Sequence, residues 1–215
     1  MLKYNLKKTI ASILIALGSV AIVLYSFPYF MAHVWMAVGN DVYHRLSAET
    51  VTVQEIEVFI ESREKAIEWA DLYKAKTDLT VLPLVSDAHR FEALSTSETL
   101  KAFLEDNPYN AFLWMRLSDL QELAAVPVSD ILMSWRQSYQ YMPYEPRIAY
   151  SRLYKGLRFR EFLTGADRLL VRGEIEALYN SYYRTALRQQ IRQYKLEPIV
   201  DEFLIDEKMR EYFLS

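Results

Sequence analysis

Asn107 to Pro143 reads NPYNAFLWMRLSDLQELAAVPVSDILMSWRQSYQYMP. Asn110 is placed to cap a helix, because its short side chain can accept a hydrogen bond from an orphan N–H of the first turn. Trp114, Leu117 and Leu120 then recur at helical spacing. Val126-Pro127 marks a turn. A second helix carries Ile131, Leu132, Trp135 and Tyr139 toward one side and closes at Pro143. Two apolar faces joined by a short turn predict a pair of packed helices. No run of strict polar–apolar alternation competes with that pattern anywhere in the chain, so the expected fold class is all-α.

This helix pair resembles a tetratricopeptide repeat. Counted from Pro108, Trp114 and Leu117 stand where that motif has its first-helix Trp and Leu, and Ser138 holds the small position of the second helix, five before Pro143. Pro108 to Pro143 is 35 residues, against ~34 for the repeat. Ser118 replaces the usual Gly, and Ile131 stands where a small Ala is expected. Only this one copy is convincing, and about three are normally needed for a stable solenoid. The expectation is a degenerate TPR-like domain whose core is completed by flanking helices.

Towards the N-terminus, Thr52 with Glu55 forms a capping box for a helix carrying Ile56, Phe59, Ile60, Ile67 and Ala70, expected to end near Thr77-Asp78. A shorter stretch around residues 79–94 is broken by Pro83. Ser97 is placed to cap the next helix, with Leu100, Phe103 and Leu104 inward and an end before Asn107. Towards the C-terminus, a helix is expected from about Pro146. Thr164 or Asp167 caps another, whose buried stripe would be Ile175, Leu178, Tyr179, Tyr182 and Ala186. Beyond Pro198, a last short helix would hold Ile199, Phe203 and Phe213.

Upstream of all this, residues 9–40 contain no Asp, Glu, Lys or Arg, and Ile10–Phe27 reads IASILIALGSVAIVLYSF. Eighteen residues make about 27 Å of helix, close to the roughly 30 Å hydrocarbon core of a bilayer. Ser19-Val20-Ala21 resembles a signal-peptidase site, but Ile22, Val23, Leu24, Tyr25 and Phe27 continue the apolar run past it. An uncleaved anchor is therefore expected: a tail at 1–8, a transmembrane helix at 9–31, a juxtamembrane connection at 32–50 and a helical domain at 51–215. Without cysteine, no lipidated N-terminal thiol is expected. Lys3, Lys7 and Lys8 precede the span, whereas Asp41 and Arg45 beyond it cancel. The positive-inside bias then puts the N-terminus in the cytoplasm and about 175 residues outside, in the periplasm of a bacterial inner membrane. Tyr25, Phe27, Tyr29, Phe30 and Trp35 would form an aromatic belt. Ser12, Ala16 and Ser19 share one face that would suit packing on another membrane helix.

Charge is unevenly spread. Residues 41–106 hold 14 acidic and 7 basic side chains, and residues 147–195 hold 11 basic and 4 acidic. Either these groups pair across helix surfaces, or the basic stretch presents a face to an anionic glycan, a lipid head group or an acidic partner. Arg184, Arg188 and Arg192, four apart, form a stripe suited to gripping carboxylates or phosphates. They are the one candidate ligand or partner face.

No catalytic motif is present: no Gly-rich phosphate loop, nucleophile elbow or HExxH. Zero cysteines exclude a thiolate metal site. His33, His44 and His89 are far apart and no metal site is expected from them. Glu55, Glu57, Glu61, Glu64 and Glu68 read as the solvated side of one helix. A carboxylate pair that meets only in space remains the alternative. No cofactor, enzyme activity or nucleic-acid partner is expected.

The layout as a whole resembles a family of small single-span bacterial inner-membrane proteins with a repeat-like helical domain, associated with exopolysaccharide or surface-polysaccharide production of the Vibrio biofilm-polysaccharide type. The residues that carry it are SREKAIEWADLYKAKTDL (62–79), NPYNAFLWMRLS (107–118) and SWRQSYQYMPYEPRIAYSRL (134–153). The resemblance implies an interaction or assembly protein working with membrane or periplasmic components of a polysaccharide machine. It implies no catalytic or ligand residue. The alternative is a periplasmic glycan- or lipid-binding module using the arginine stripe.

Overall fold

The structure is a computed structural model that describes residues 2–46 and 51–215, with side chains described from Ile13 onward. Residues 47–50 of the expected connection, and the side chains of Lys3, Lys7, Lys8 and Ser12, lie outside what is described. Among the described residues the chain is helical throughout and has no strand. Its contacts divide it into two units, Met1–Val85 and Ser86–Ser215.

The first unit is built on α1 (Leu2–Val38), which runs unbroken through Pro28. Its segment Ile13–Val38 is long and apolar enough to cross a membrane. From Ile13 to Phe27 every side chain is exposed. Beyond Phe30 one face of the same helix, with Ala32, Trp35 and Met36, is covered by the rest of the unit, while Val34 and Val38 stay exposed. α2 (Asn40–Arg45) follows a bend at Gly39, and α3 (Val53–Trp69) returns antiparallel to α1. Phe27 meets Trp69 edge to face at 5.8 Å, and the Met36 carbonyl accepts from Arg63 Nη1 at 2.9 Å. A Cβ on Gly39 would lie 2.2 Å from Ser62 Oγ, so only glycine permits the close approach of the α1–α2 bend to α3.

The capping box expected at Thr52 and Glu55 is present, with Glu55 also taking Arg45 at 2.5 Å. The helix does not reach Thr77-Asp78, however. It stops at Trp69, Ala70 is extended, and a separate helix α4 (Tyr73–Leu79) follows. The break has a packing reason. It folds Ala75 back against Ala32, Met36 and Ala66, and it brings Asp78 to Arg63, where Nε and Nη2 donate at 3.2 and 3.1 Å. Both partners are buried. A single straight helix would have left each charge without the other. Trp35 packs against this same cluster. α5 (Leu82–Val85) closes the unit, with Leu82 joining Val42, Leu46 and Phe59.

In the second unit a 3-10 turn at Asp87–Glu92 feeds directly into α6 (Ala93–Asp106). Ser97 is therefore not a cap. It lies inside the helix, and its hydroxyl donates to the Leu94 carbonyl. α7 (Ala111–Leu123) begins at Asn110, whose side chain accepts from Leu113 N, as expected. α8 (Val128–Tyr141) follows Pro127. The two pack as a hairpin through the fully buried Ser118, whose hydroxyl donates to the Ile131 carbonyl at 3.0 Å. Ala125 makes the turn at φ 54°. α9 (Pro146–Arg158) starts at its proline, and α10 (Gly165–Tyr179) is capped by Thr164 and Asp167 together.

The stripe expected from Ile175 to Ala186 holds only for its first part. Ile175 and Leu178 are buried, but Tyr182 is 97% exposed and Ala186 is exposed. α10 ends at Tyr179, a turn spans 180–183, and α11 (Arg184–Gln193) restarts with Leu187 and Ile191 inward. The turn resets the helical phase, so residues that share a face in one continuous helix part company. The last helix is likewise two, α12 (Glu197–Asp201) and α13 (Glu207–Leu214), with Phe203 between them. Trp135, Leu153, Val171, Ile175, Phe203 and Phe213 are central to the core of this unit.

Candidate functional site

The site grows from the turn between α8 and α9. Pro143-Tyr144-Glu145-Pro146 ends one helix and starts the next. Glu145 caps α9, accepting from Arg147 N at 3.1 Å and pairing with the Arg147 guanidinium at 2.8 and 3.1 Å. The last carbonyls of α8 have no helical donors. Arg152, one and a half turns into α9 and fully buried, supplies them: Nη2 donates to the carbonyls of Met142 (2.8 Å) and Ser138, and Nε donates to Ser138 Oγ (3.0 Å). The same guanidinium lies 4.4 Å from the centre of the Tyr139 ring.

Glu174 comes from α10 to face this group. It is 6% exposed. Burial pushes its carboxyl up to about 7, opposed by the positive charge of Arg152 and by the Tyr139 hydroxyl. Burial, and next the charge of Glu174, hold the Tyr139 phenol well above its ordinary value. The Arg152 guanidinium is lowered by its own burial, against the pull of Glu174. Arg152 Nη1 has no hydrogen-bond partner among the described residues, and the Tyr139 hydroxyl faces Glu174.

Tyr139 and Glu174 line a cleft of about 480 Å³ between α8, α9 and α10. That is the size of a small-ligand site. Its walls are mainly apolar, including Ala149, Leu170 and Leu178, and Tyr144 and Tyr183 stand exposed on it. Arg136 also reaches the cleft but is spent on Asp167, with Nε and Nη2 donating at 2.7 and 2.8 Å. That ion pair, strengthened by the Thr164 hydroxyl and N–H, holds the Asp167 carboxyl down to about 2. The cleft thus offers aromatic and aliphatic surface, compensated charge and a buried carboxyl that can donate or accept near neutral pH. Glu145 lines it too, but both its oxygens are committed to Arg147. It is not placed to act as the second carboxylate of a hydrolytic pair.

Arg184, Arg188 and Arg192 all lie on α11. The structure brings the first two together over one ring, at 5.0 and 4.8 Å from the centre of Tyr212, and Arg188 Nη2 donates to Ser215 Oγ at 3.3 Å. Arg192 is exposed one turn further on. Elsewhere in the basic stretch, Lys155 pairs with Asp119 and Glu122, Arg158 with Glu122, and Arg160 and Arg168 with Glu202. Glu57, Glu61, Glu64 and Glu68 are exposed along α3. His44 meets Asn40 and His89 meets Ser86. No metal-binding group of His, Asp and Glu occurs among the described residues.

Sequence reasoning counted Arg152 and Glu174 only as members of a charged stretch. The signal was their phase. Arg152 sits among Ile148, Ala149, Leu153 and Gly156, and Glu174 among Val171, Ile175 and Leu178. Each is a charge on an apolar face, which is uncommon unless paired or functional. No family model matches the chain, and neither does any curated protein or solved structure.

Proposed function

We propose that the protein is a membrane-anchored, non-enzymatic interaction protein that assists assembly or export of a surface polysaccharide. Its α8–α10 cleft would be the recognition site. The observation that carries the anchor is the uncovered apolar stretch Ile13–Phe27, a surface that water does not favour over so many consecutive residues. Tethering would raise the effective concentration of the helical unit near other membrane components. The α7–α8 hairpin is read as a degenerate TPR-like element, supported by the Asn110 cap, by Trp114 Nε1 donating to the Pro108 carbonyl at 2.7 Å and by close packing at Ser118. The N-terminus is assigned to the cytoplasm and residues beyond the span to the periplasm of a bacterial inner membrane, on the lysines that precede the span. The polysaccharide assignment rests on the sequence resemblance.

A photo-cross-linking amino acid at Tyr144 or Tyr183, in cells, tests the proposal. Adducts with a polysaccharide polymerase, ligase or export component are expected from the cleft positions and not from Tyr109 on α7's leading turn. Absence of such adducts would remove the partner assignment. A C-terminal alkaline phosphatase fusion tests the orientation, since it is active only outside the cytoplasm.

A second reading is a glycan-binding module. The arginine stripe would select an anionic glycan, whereas the cleft, with Arg136 and Arg147 paired, suits a neutral one. Calorimetric titration with anionic and neutral oligosaccharides separates them. Replacing all three arginines by Ala would abolish binding in the first case, and Tyr144→Ala in the second.

A further inference from the structure

Helix α1 is longer than a membrane needs. Ile13–Val38 is 26 residues, about 39 Å of helix against a hydrocarbon core of roughly 30 Å. Some of it must project beyond the core, and the packing shows which part. Ala32 and Met36 are buried against Ala66 and Ala75, while the side chains from Ile13 to Ser26 are exposed. Cover begins at Phe27, where Trp69 packs on its ring. Ile10–Phe27 alone is about 27 Å. The outer edge of the hydrocarbon core and the lower edge of the α3–α4 hairpin therefore fall at the same height on α1.

We infer that the hairpin tip, Trp69–Tyr73, lies in the headgroup layer of the bilayer that α1 crosses. Its partner is the lipid surface itself. Trp69 and Tyr73 are each 39% exposed, and large amphipathic rings favour that layer. On α1, Phe27 packs on Trp69, and Tyr25, Tyr29 and Phe30, within three residues of it, are exposed. The charges respect the same geometry. Arg63 and Asp78 are paired at the level of Met36, nine residues or about 13 Å above Phe27, clear of the hydrocarbon. Lys76 is paired with Asp71 at the tip, and Lys74 with Asp78. A tip of paired charges and half-exposed rings can enter the polar interface without burying an isolated ion. Docked this way, α1 is held by the membrane at two points, its span and the hairpin beside it. The unit then stands upright on the bilayer instead of swinging from a single helix.

The inference rests on α1 being a membrane anchor, and the experiment separates the two. The chain has no cysteine, so single cysteines can be introduced without background. Val20→Cys, Asp71→Cys, Tyr73→Cys and Glu57→Cys variants of the full chain are spin-labelled and reconstituted in phosphatidylethanolamine–phosphatidylglycerol vesicles. Accessibility to oxygen and to a water-soluble nickel chelate is then measured. Glu57 is the control, twelve residues or about 18 Å back along α3 from Trp69. The label at 20 should be accessible to oxygen and shielded from nickel. Labels at 71 and 73 should be shielded from nickel severalfold relative to 57, at headgroup depth. A nickel-accessible label at 20 would overturn the anchor. A lipid-buried label at 20 with 71 and 73 as nickel-accessible as 57 would leave the anchor standing and overturn the docking.

Discussion

Glu174→Gln should make the second unit more stable at alkaline pH and leave it little changed in acid. The carboxyl ordinarily titrates at 4.5 and is carried to about 7 in the folded protein, chiefly by burial. A raised carboxyl pKa means that the folded state holds the proton more tightly than the unfolded state. The resulting stability is fully present below about pH 4.5 and is lost as pH rises through about 7. At ~1.36 kcal/mol per pH unit, the loss across that window is about 3 kcal/mol. Glutamine keeps the shape and carries no charge at any pH. The variant should therefore escape the loss, and its advantage over the native chain should grow by about 3 kcal/mol between about pH 4 and pH 8. Arg152 and the Tyr139 hydroxyl both favour the ionised form, yet burial wins.

Urea unfolding of the full chain in detergent micelles, in a Trp35→Phe/Trp69→Phe background, reads this directly, because the remaining Trp114 and Trp135 both lie in the second unit. Comparing variant with native chain at each pH cancels every other titrating group. Parallel stability curves for the two proteins from acid to alkali would refute the reasoning, and with it the picture of Glu174 as a buried, proton-exchanging group at the cleft.

Four further outcomes follow from the packing. Arg63→Ala leaves Asp78 buried beside Lys74 alone and should cost about 3–5 kcal/mol, with fast hydrogen exchange in α4; unchanged exchange at Ala75–Leu79 would contradict it. Gly39→Ala forces a methyl to within 2.2 Å of Ser62 Oγ and should cost about 1–3 kcal/mol, partly recovered by Ser62→Ala in a double-mutant cycle. Ala125, at φ 54°, sits in the left-handed region that costs roughly 1–2 kcal/mol for a non-glycine residue, so Ala125→Gly should raise the unfolding midpoint of the second unit. Arg152→Lys keeps the charge but loses the planar fork that reaches Ser138 and Met142; a cost of about 2–4 kcal/mol is expected, and a midpoint equal to the native one would show that the carbonyls of α8 do not need it.

Local chemistry was the legible part of this chain. Asn110, Thr52 with Glu55, Pro146 and Thr164 act at the helix starts where their side chains point to them, because a cap needs only neighbours within four residues. The long apolar segment was equally plain. What escaped was set by contacts distant in sequence. Residues 62–79 have good helical character throughout, and only the meeting of Arg63 with Asp78 and of Ala75 with Ala32 explains the break at Ala70. Ile175–Ala186 keeps perfect helical spacing, yet the turn at 180–183 resets the phase. The cleft is the extreme case. Arg152 and Glu174 belong to different helices, and no spacing rule joins residues across an intervening turn.

The buried arginines also change the meaning of the basic stretch. The chain has five glycines, and none adopts positive φ, so the usual glycine ending of helices is not in use. Helix-end and turn carbonyls are met instead by guanidinium groups. Arg63 donates to Met36 near the end of α1, and Arg152 to Ser138 and Met142 at the end of α8. Arg168 donates to Arg160, Arg172 to Phe203 and Arg210 to Leu204 in the turns that follow helices. A planar, weakly hydrated cation with five donors does this better than lysine can, and the partial negative charge of a helix C-terminus favours it. Much of the positive excess in 147–195 is therefore engaged in contacts within the chain. Arg152, Arg168 and Arg172 hold backbone, Lys155, Arg158 and Arg160 hold carboxylates, and Arg184 and Arg188 lie on Tyr212. A charge count read as a surface property overstates the field that an anionic partner would meet. A buried guanidinium, a buried phenol and exposed aromatic rings converge instead at the cleft beside Glu174.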